Sequence, residues 1–459
     1  MCNRKNIFPD TALLILSGFI LLRGLAVLLT NSIIDRVYLY FSAFFCVLII
    51  SAYGATKIRS IHFSRTDTKV IIASCIYLLV WALIEITQQP ISTLRTFGIL
   101  GLSPFMVYAF LGISKKKVVR FLFMITIIHA VILHFENYLI NFTPDNAGLS
   151  LATQIQLSIR PEITGWSKAN NIYRTVGIFG LVPHYSGITM AMLTTFWGSR
   201  VLCSSRLNVK SLFIFLISGS ALLTTISGTA ISATLICLSI LFIIRAIQVV
   251  PTGNRAQFSV YFVCALIFFY LLSLAARHIT QPVTAPVTAP VTAPDTDSLG
   301  QDYTLNLSMG EILEYAANSV IYAGEFVKAA LYRINVSAGD YSNFLDLRLD
   351  REEINFHNVI FGHLSTENLG LATVEIPLIR YIFIYGVIGS GLIFTLLMLP
   401  TVRFFSNRCV CSDATPFTLS TFCGFLTLAH YDYLFSTSIV VLLWLFFAKS
   451  EFGGDNHEL

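Results

Sequence analysis

Residues 211–247 decide the fold of this chain, and they read SLFIFLISGSALLTTISGTAISATLICLSILFIIRAI. Arg245 is the only charged residue in this run. A helix needs about 20 apolar residues to cross the hydrocarbon core of a bilayer, so the run is too long for one span. Ser227-Gly228-Thr229 lies near its middle and favours a turn. The run therefore predicts two spans, 211–226 and 229–247.

Apolar blocks of similar length recur along all 459 residues. Hydrophobic residues make up 55% of the chain and charged residues 12%, whereas soluble domains carry about 25% charged residues. The net charge of +5 does not indicate nucleic-acid binding, because the basic residues lie mainly in short links between apolar blocks. The predicted spans are 11–29, 37–55, 70–87, 97–113, 118–140, 176–197, 211–226, 229–247, 257–275, 376–400, 416–431 and 433–448.

The basic residues in the links predict the orientation. They collect in alternate links, which the positive-inside rule places in the cytoplasm. These residues include Lys57, Arg59, Arg65, Lys69, Lys115, Lys116, Lys117, Arg120, Arg200, Arg206 and Lys210. Both termini are then cytoplasmic, and the long segments 141–175 and 276–374 face outward. The predicted fold is an all-α polytopic helical membrane protein with about 12 transmembrane helices and a large outward loop between spans 9 and 10.

The chain divides into three regions. Residues 1–275 contain spans 1–9 and the outward loop 141–175, residues 276–374 form the large outward loop, and residues 375–459 contain spans 10–12 and a short cytoplasmic tail. The large loop begins with a Pro-Val-Thr-Ala repeat at 282–294, whose prolines favour an extended spacer. Residues 308–334 have a helical apolar pattern, so the loop is predicted to be partly helical. The nine cysteines lie outside both outward loops, and no disulfide framework is predicted.

Several ionisable residues lie inside predicted spans, where an unpartnered charge is costly. Glu85 lies deep in the third span. His129, His134 and Glu136 line the outer half of the fifth span, with His129 and Glu136 on one helical face. Structural pairing explains Glu85 as well as a functional role does. For His134 and Glu136, a solvated helix end is an equal alternative.

The first outward loop contains Arg160 and ends near Arg174. Gly177 and Pro183 follow, and they predict a helix broken at its outer end. Such breaks are tolerated at membrane depth only where they face protein or a wet cavity. Arg174 beside the break has the fork of donors that binds phosphate. An ordinary junction between loop and helix fits the composition equally well.

The second outward loop and the start of span 10 hold further candidates. The loop arginines are balanced by acidic residues, so they predict either a solvated segment or a site for a lipid pyrophosphate. Glu375 lies at the predicted outer surface, where it is a candidate general base or a carboxylate at a helix N-terminus. The candidates of this region are Arg333, Arg348, Arg351, His363, Glu375 and Arg380.

Three segments resemble motifs of the O-antigen polymerase and ligase superfamily, the Wzy-type enzymes of bacterial surface polysaccharide assembly. They are Arg174-x-x-Gly-Ile-Phe-Gly-x-x-Pro-His184, then Thr224-Thr-Ile-Ser-Gly-Thr-Ala230, then Glu375 followed by Gly386-x-x-Gly389. His184 stands where the family usually has Asn, and Gly228 where it often has Arg. Glu375 occupies the position of the ligase histidine, which disfavours a ligase.

The resemblance implies a metal-independent membrane glycosyltransferase of the bacterial inner membrane that needs no cofactor. It would polymerise repeat units carried on undecaprenyl pyrophosphate into O-antigen, capsule or exopolysaccharide at the periplasmic face. Its expected partners are the lipid-linked oligosaccharide, the lipid bilayer and a chain-length regulator protein, with no nucleic acid. The implied catalytic residues are Glu375, Arg174 and His363. The implied substrate-binding residues are Arg160, Arg333, Arg348, Arg351, His184 and Arg380.

Three other functions remain open at this stage. One is an O-antigen ligase that transfers finished polymer to lipid A core. Another is a flippase for lipid-linked oligosaccharides or a related transporter, although the sequence shows no matched halves with broken helices, which are common in transporters. The third is a scaffold or sensor without enzymatic activity.

Overall fold

The computed structural model describes residues 7–29, 33–58, 65–87, 90–141, 168–169, 172–177, 183–204, 208–249, 360–362, 377–406, 412–428, 434 and 436–450. Within these residues the regular secondary structure is helical apart from one short pair of strands. The predicted span 257–275, the proline repeat 282–294 and the predicted helical stretch 308–334 lie outside the described residues.

Each predicted span that falls in the described residues overlaps a helix. Strands β1 (Lys168–Ala169) and β2 (Ile172–Tyr173) pair antiparallel near the end of the segment 141–175. The helices are α1 Ile7–Leu29, α2 Ile33–Lys57, α3 Arg65–Glu85, α4 Pro90–Thr96, α5 Met106–Leu111, α6 Lys115–Asn141, α7 Pro183–Cys203, α8 Val209–Thr224, α9 Gly228–Val249, α10 Pro377–Ser406, α11 Thr415–Thr427 and α12 Thr437–Lys449.

Five helical segments of the described chain are long and apolar enough to cross a membrane. They are Thr68–Glu85, Thr93–Leu111, Lys115–Tyr138, Gly228–Ala246 and Ile384–Phe405. Four shorter apolar helices accompany them, at Asp10–Leu22, Phe41–Lys57, Val209–Thr224 and Thr437–Lys449. These helices indicate a membrane protein, and the total of about 12 spans stays a prediction.

The bundle is apolar outside and partly polar inside. On α2, the exposed side chains of Phe41, Phe45 and Ile49 recur every four residues and form one outer stripe. At its centre, α7 is buried on all sides from residue 186 to 199 and packs against α8, α9 and α11. Its buried side chains include the hydroxyls of Thr189 and Thr195. Small and polar residues at helix interfaces with an apolar exterior are typical of membrane bundles.

Two predicted spans differ from the observed helices. The span predicted at 97–113 is part of an irregular helix, in which a π-helical segment (Phe97–Leu102) and a 3₁₀ turn (Ser103–Phe105) separate α4 from α5. Pro104 in this turn has no N–H for a regular helical bond. The span predicted to begin at 176 begins at Pro183, because proline is favoured in the first turn of a helix, and residues 174–176 are not helical.

Basic residues gather at one end of the bundle. Lys117 Nζ lies 2.8 Å from Asp10 Oδ2, which joins the start of α6 to α1. Lys449 Nζ, at the end of α12, donates to Leu111 O at 2.8 Å. The C-terminal end of α6, the turn after α8 and the start of α10 therefore lie towards the opposite end, where the motif residues are found.

Candidate functional site

Residues 174–177 follow β2 in the chain and precede α7, and we call this four-residue segment the strap. The strap is not helical, and three of its residues are buried. Side chains and carbonyls from α6, α7 and the turn after α8 bind each of its four residues. The segment that the sequence suggested as a broken helix end is therefore non-helical at residues 174–177 and has specific partners.

Arg174 is buried, with 2% of its surface exposed. Its Nε donates to Thr225 O at 3.1 Å, and its Nη2 lies 3.2 Å from His184 Nδ1. Because arginine is only a donor, Nδ1 of His184 must accept, and the neutral ring then carries its proton on Nε2. The site thus brings together two residues that the sequence predicted, Arg174 and His184.

Thr175 joins the strap to the end of α8 twice. Its N–H donates to Thr224 O at 3.2 Å, and the two Thr Oγ1 atoms are 2.9 Å apart. In the same turn, Ile226 has a φ of 47°, which is rare for a β-branched residue and stores strain. Backbone strain of this kind clusters at functional sites, although it does not by itself identify a function.

The carboxylate of Glu136 in α6 binds the second half of the strap. Val176 N donates to its two oxygens at 3.0 and 3.1 Å, and Gly177 N donates to Oε2 at 2.6 Å. Gly177 has a φ of 64°, and a Cβ there would lie 2.8 Å from Ser186 Oγ. Ser186 in turn donates to Val176 O. The sequence placed Glu136 in the span but did not show that it would bind these amides.

The other ionisable residues of the spans have different surroundings. His134 Nε2 lies 3.0 Å from Ser220 Oγ, so it joins α6 to α8. His129 is buried one turn and a half earlier on the same helix, and Glu85 is buried at the end of α3. For Glu85, burial fits the structural role that the sequence had left as an alternative. The contact of His134 with Ser220 differs from the solvated helix end that was its alternative.

A second irregular region lies at Gly386 in α10, where φ is 69° and ψ is 172°. We call it the break. The break interrupts the helical hydrogen bonds, so carbonyls that precede it accept from donors outside the helix. Trp81 Nε1 donates to Ile384 O at 3.1 Å, and Tyr77 OH donates to Tyr385 O at 2.8 Å. Tyr77 and Trp81 are four residues apart on one face of α3, a spacing that the sequence analysis did not use.

Residues 360–362, which belong to the segment 276–374, contact the break. Tyr77 OH lies 3.1 Å from Phe361 O, and Gly362 packs its backbone against residues 384–386. A Cβ on Gly362 would lie 2.5 Å from Gly386 N. Residues 360–362 therefore lie against the backbone of α10 at Gly386.

Most of the remaining candidates lie outside the described residues: Glu375, His363, Arg160, Arg333, Arg348 and Arg351. Arg380 lies in α10, and its side chain is also outside the described part of the structure. Within the described residues, no group of three or more His, Cys, Asp or Glu side chains is placed to hold a metal ion.

The described site supplies a buried arginine, an acceptor histidine and a carboxylate bound to backbone amides, all at the end of the bundle opposite the basic links. A charge fixed by hydrogen bonds in a low-dielectric region can stabilise opposite charge nearby. Neither a protein-family model nor a curated protein or solved structure matches this chain.

Proposed function

We propose that this chain is a membrane glycosyltransferase that polymerises oligosaccharide repeat units carried on undecaprenyl pyrophosphate, at the periplasmic face of the bacterial inner membrane. The observation that carries the proposal is the contact between two segments that resemble the Wzy-type family. Arg174 Nε binds Thr225 O across 51 positions of the chain, and Thr175 pairs with Thr224. Unrelated short matches have no reason to be in contact, so their joining supports the resemblance.

The proposed reaction transfers the reducing-end sugar of the growing chain to a hydroxyl of the incoming unit. The hydroxyl oxygen bonds to the anomeric carbon, and the bond from that carbon to the pyrophosphate oxygen breaks. Its electron pair leaves with the lipid pyrophosphate. The proton of the hydroxyl passes to a base, for which Glu375 and His363 are the candidates. The products are O-antigen, capsule or exopolysaccharide.

Arg174 would supply fixed positive charge close to the leaving pyrophosphate. Arginine stays protonated in proteins, and burial reduces the screening of its field. Its hydrogen bonds to Thr225 and His184 hold the guanidinium before the reaction begins, as electrostatic preorganisation requires. The proposed direct ligands of the pyrophosphate are Arg160, Arg333, Arg348, Arg351 and Arg380, with bidentate contacts as the expected mode.

His184 also fits the proposal, although the family usually has Asn there. Asn Oδ1 and His Nδ1 are the same number of bonds from the backbone, and both are acceptors. The observed role of His184 Nδ1, accepting from Arg174 Nη2, is one that an Asn side chain can perform. The difference between His184 and the family's usual Asn is therefore compatible with the hydrogen bond to Arg174.

The direct test is elongation of undecaprenyl-pyrophosphate-linked repeat units by purified protein in detergent, with products separated by length. Arg174→Ala should lower the rate by about 100-fold or more. Arg174→Lys should also be weak, since one ammonium group cannot reproduce two separated hydrogen bonds. Arg95→Ala, at an exposed position in α4, is the matched control and should keep full activity. Full activity of Arg174→Ala would remove this residue from the mechanism.

Deleting the gene separates a polymerase from a ligase. Loss of a polymerase leaves surface glycan with a single repeat unit, whereas loss of a ligase accumulates long polymer on its lipid carrier. An unchanged distribution of chain lengths after deletion would contradict the proposed polymerase.

Transport of lipid-linked oligosaccharide is a second candidate, favoured by the interrupted helices. The segment 97–105 and the break at Gly386 both belong to helices that pack against α3. Discontinuous helices are common in transporters. In liposomes, a labelled lipid-linked oligosaccharide that crosses the bilayer without being elongated would favour transport over polymerisation.

A further inference from the structure

We infer that Glu136 is the positioning residue of Arg174: its carboxylate holds the backbone of the strap so that the guanidinium is fixed for catalysis. This inference rests on the proposed function, because it assigns a catalytic consequence to the position of Arg174. The contact between Glu136 and the strap is itself a feature of the structure. Glu136 accepts three hydrogen bonds from the amides of Val176 and Gly177 at 2.6–3.1 Å.

The position of Glu136 on its helix argues for a specific role. It lies five residues before the C-terminal end of α6, in a segment of membrane-spanning character, where an ionised group needs partners. Hydrogen bonds between a charged acceptor and backbone N–H groups are among the stronger hydrogen bonds, so the strap amides offset this cost.

Because the amides that bind Glu136 are two and three residues from Arg174, fixing them also restricts the position of Arg174. Thr175, between Arg174 and the amides that bind Glu136, is itself bound to Thr224 through its backbone and side chain. The chain turns at Gly177 through a left-handed conformation, and Ser186 donates to Val176 O from the other side. Releasing Glu136 would leave the two amides of this turn without their acceptor. The strap would then be anchored only at its first half.

Substitutions at position 136 separate positioning from a role in which charge alone matters. Gln keeps the length and one acceptor oxygen, whereas Asp keeps the charge but is shorter by one methylene group. Positioning predicts the activity order Glu, then Gln, then Asp and Ala together. A purely electrostatic role, or a role as proton acceptor, predicts that Asp exceeds Gln.

The first measurement needs no substrate. Hydrogen–deuterium exchange of the full-length protein in detergent should show faster exchange at the amides of residues 176 and 177 in Glu136→Ala and Glu136→Asp, with Glu136→Gln intermediate. His134→Ala is the control on the same helix, since it removes the contact with Ser220 but not the contacts with the strap. It should leave the exchange of these two amides unchanged.

The second measurement is steady-state elongation of the lipid-linked repeat units. Glu136→Gln should lower kcat by about tenfold, which corresponds to the loss of one charge-assisted hydrogen bond. Its KM for the lipid-linked substrate should stay within about twofold, because positioning acts on the transition state.

The outcomes distinguish this inference from the proposed function. Unchanged exchange in Glu136→Ala overturns the inference, and so does faster exchange with an unchanged kcat in an active enzyme. If the wild-type protein does not elongate the substrate, the proposed function and the catalytic part of the inference are both wrong. Faster exchange in the variants would still support the hold on the strap.

Discussion

The strap and the break are both non-helical and lie at the same end of the bundle, but their backbone N–H and C=O groups find hydrogen-bond partners in different ways. At the strap, the Glu136 carboxylate and the Ser186 hydroxyl bind backbone groups of residues 176 and 177. The carbonyls of Thr224 and Thr225 accept from Thr175 N and Arg174 Nε. At the break, glycine backbones approach each other, and two aromatic side chains of α3 donate to the carbonyls of Ile384 and Tyr385.

This difference bears on how each region responds to change. The strap depends on polar partners, so a substitution there should alter the placement of Arg174 more than the stability of the bundle. The break depends on the absence of side chains at Gly362 and Gly386, so an added methyl group should disturb folding directly. Polar and steric perturbations therefore distinguish the two regions, and the predictions below are ordered by the size of the expected effect.

The largest effect is expected from Gly386→Ala. At a φ of 69° and a ψ of 172°, a Cβ is strained, and it would fall on the carbonyl of Ile360. We expect the free energy of unfolding to fall by about 3 kcal/mol or more, measured by thermal unfolding in detergent.

Gly391→Ala on the same helix is the control for Gly386→Ala. A Cβ at Gly391 has open space around it, so this variant should be neutral or more stable by about 0.5–1 kcal/mol. Equal unfolding temperatures for the two variants would show that the break does not depend on glycine.

A smaller effect is expected from Tyr77→Phe, which removes the hydroxyl shared by the carbonyls of Tyr385 and Phe361. Leaving a buried carbonyl without its donor costs about 1–3 kcal/mol of unfolding free energy. Hydrogen–deuterium exchange around residues 360–362 should also become faster, because the loop end loses this contact. Tyr38→Phe, at an exposed position in α2, should change neither quantity. Unchanged exchange in Tyr77→Phe would contradict a role for Tyr77 in holding the loop.

The smallest effect is expected from His184→Asn. Asn Oδ1 can accept from Arg174 as His184 Nδ1 does, so elongation should stay within about threefold of the wild-type rate. His184→Ala removes the acceptor and should lower the rate by about tenfold. If Asn and Ala behave alike in the elongation assay, the hydrogen bond to Arg174 is not what the enzyme requires at this position.

The sequence predicted helices far better than it predicted contacts. Apolar blocks located the helices because burial in lipid requires long apolar segments, which can be read residue by residue. The start of α7 was misplaced by seven residues, because residues 176–182 are apolar in composition, and apolar composition does not distinguish a helix from the turn found at Gly177. The interruption of span 97–113 was missed for a similar reason, since Pro104 lies within an otherwise apolar run.

The candidate site was predicted in part. Arg174 and His184 were chosen from a motif, and the structure brings them together. Glu136 was noted only as a charge in a span, and Tyr77 and Trp81 were not noted. Their partners are at least 40 positions away in the chain, so spacing in the sequence gives no sign of them.

The sequence by itself determined that the chain forms apolar helices and that basic residues lie in alternate links between them, because these properties depend on composition along short segments. It also identified Arg174 and the turn at 224–230 as unusual. Only the tertiary structure decided that Glu136 binds the amides beside Arg174, and that Tyr77 and Trp81 serve the carbonyls at Gly386. Such pairings depend on the rotation and depth of each helix within the bundle, and packing among all the helices sets both.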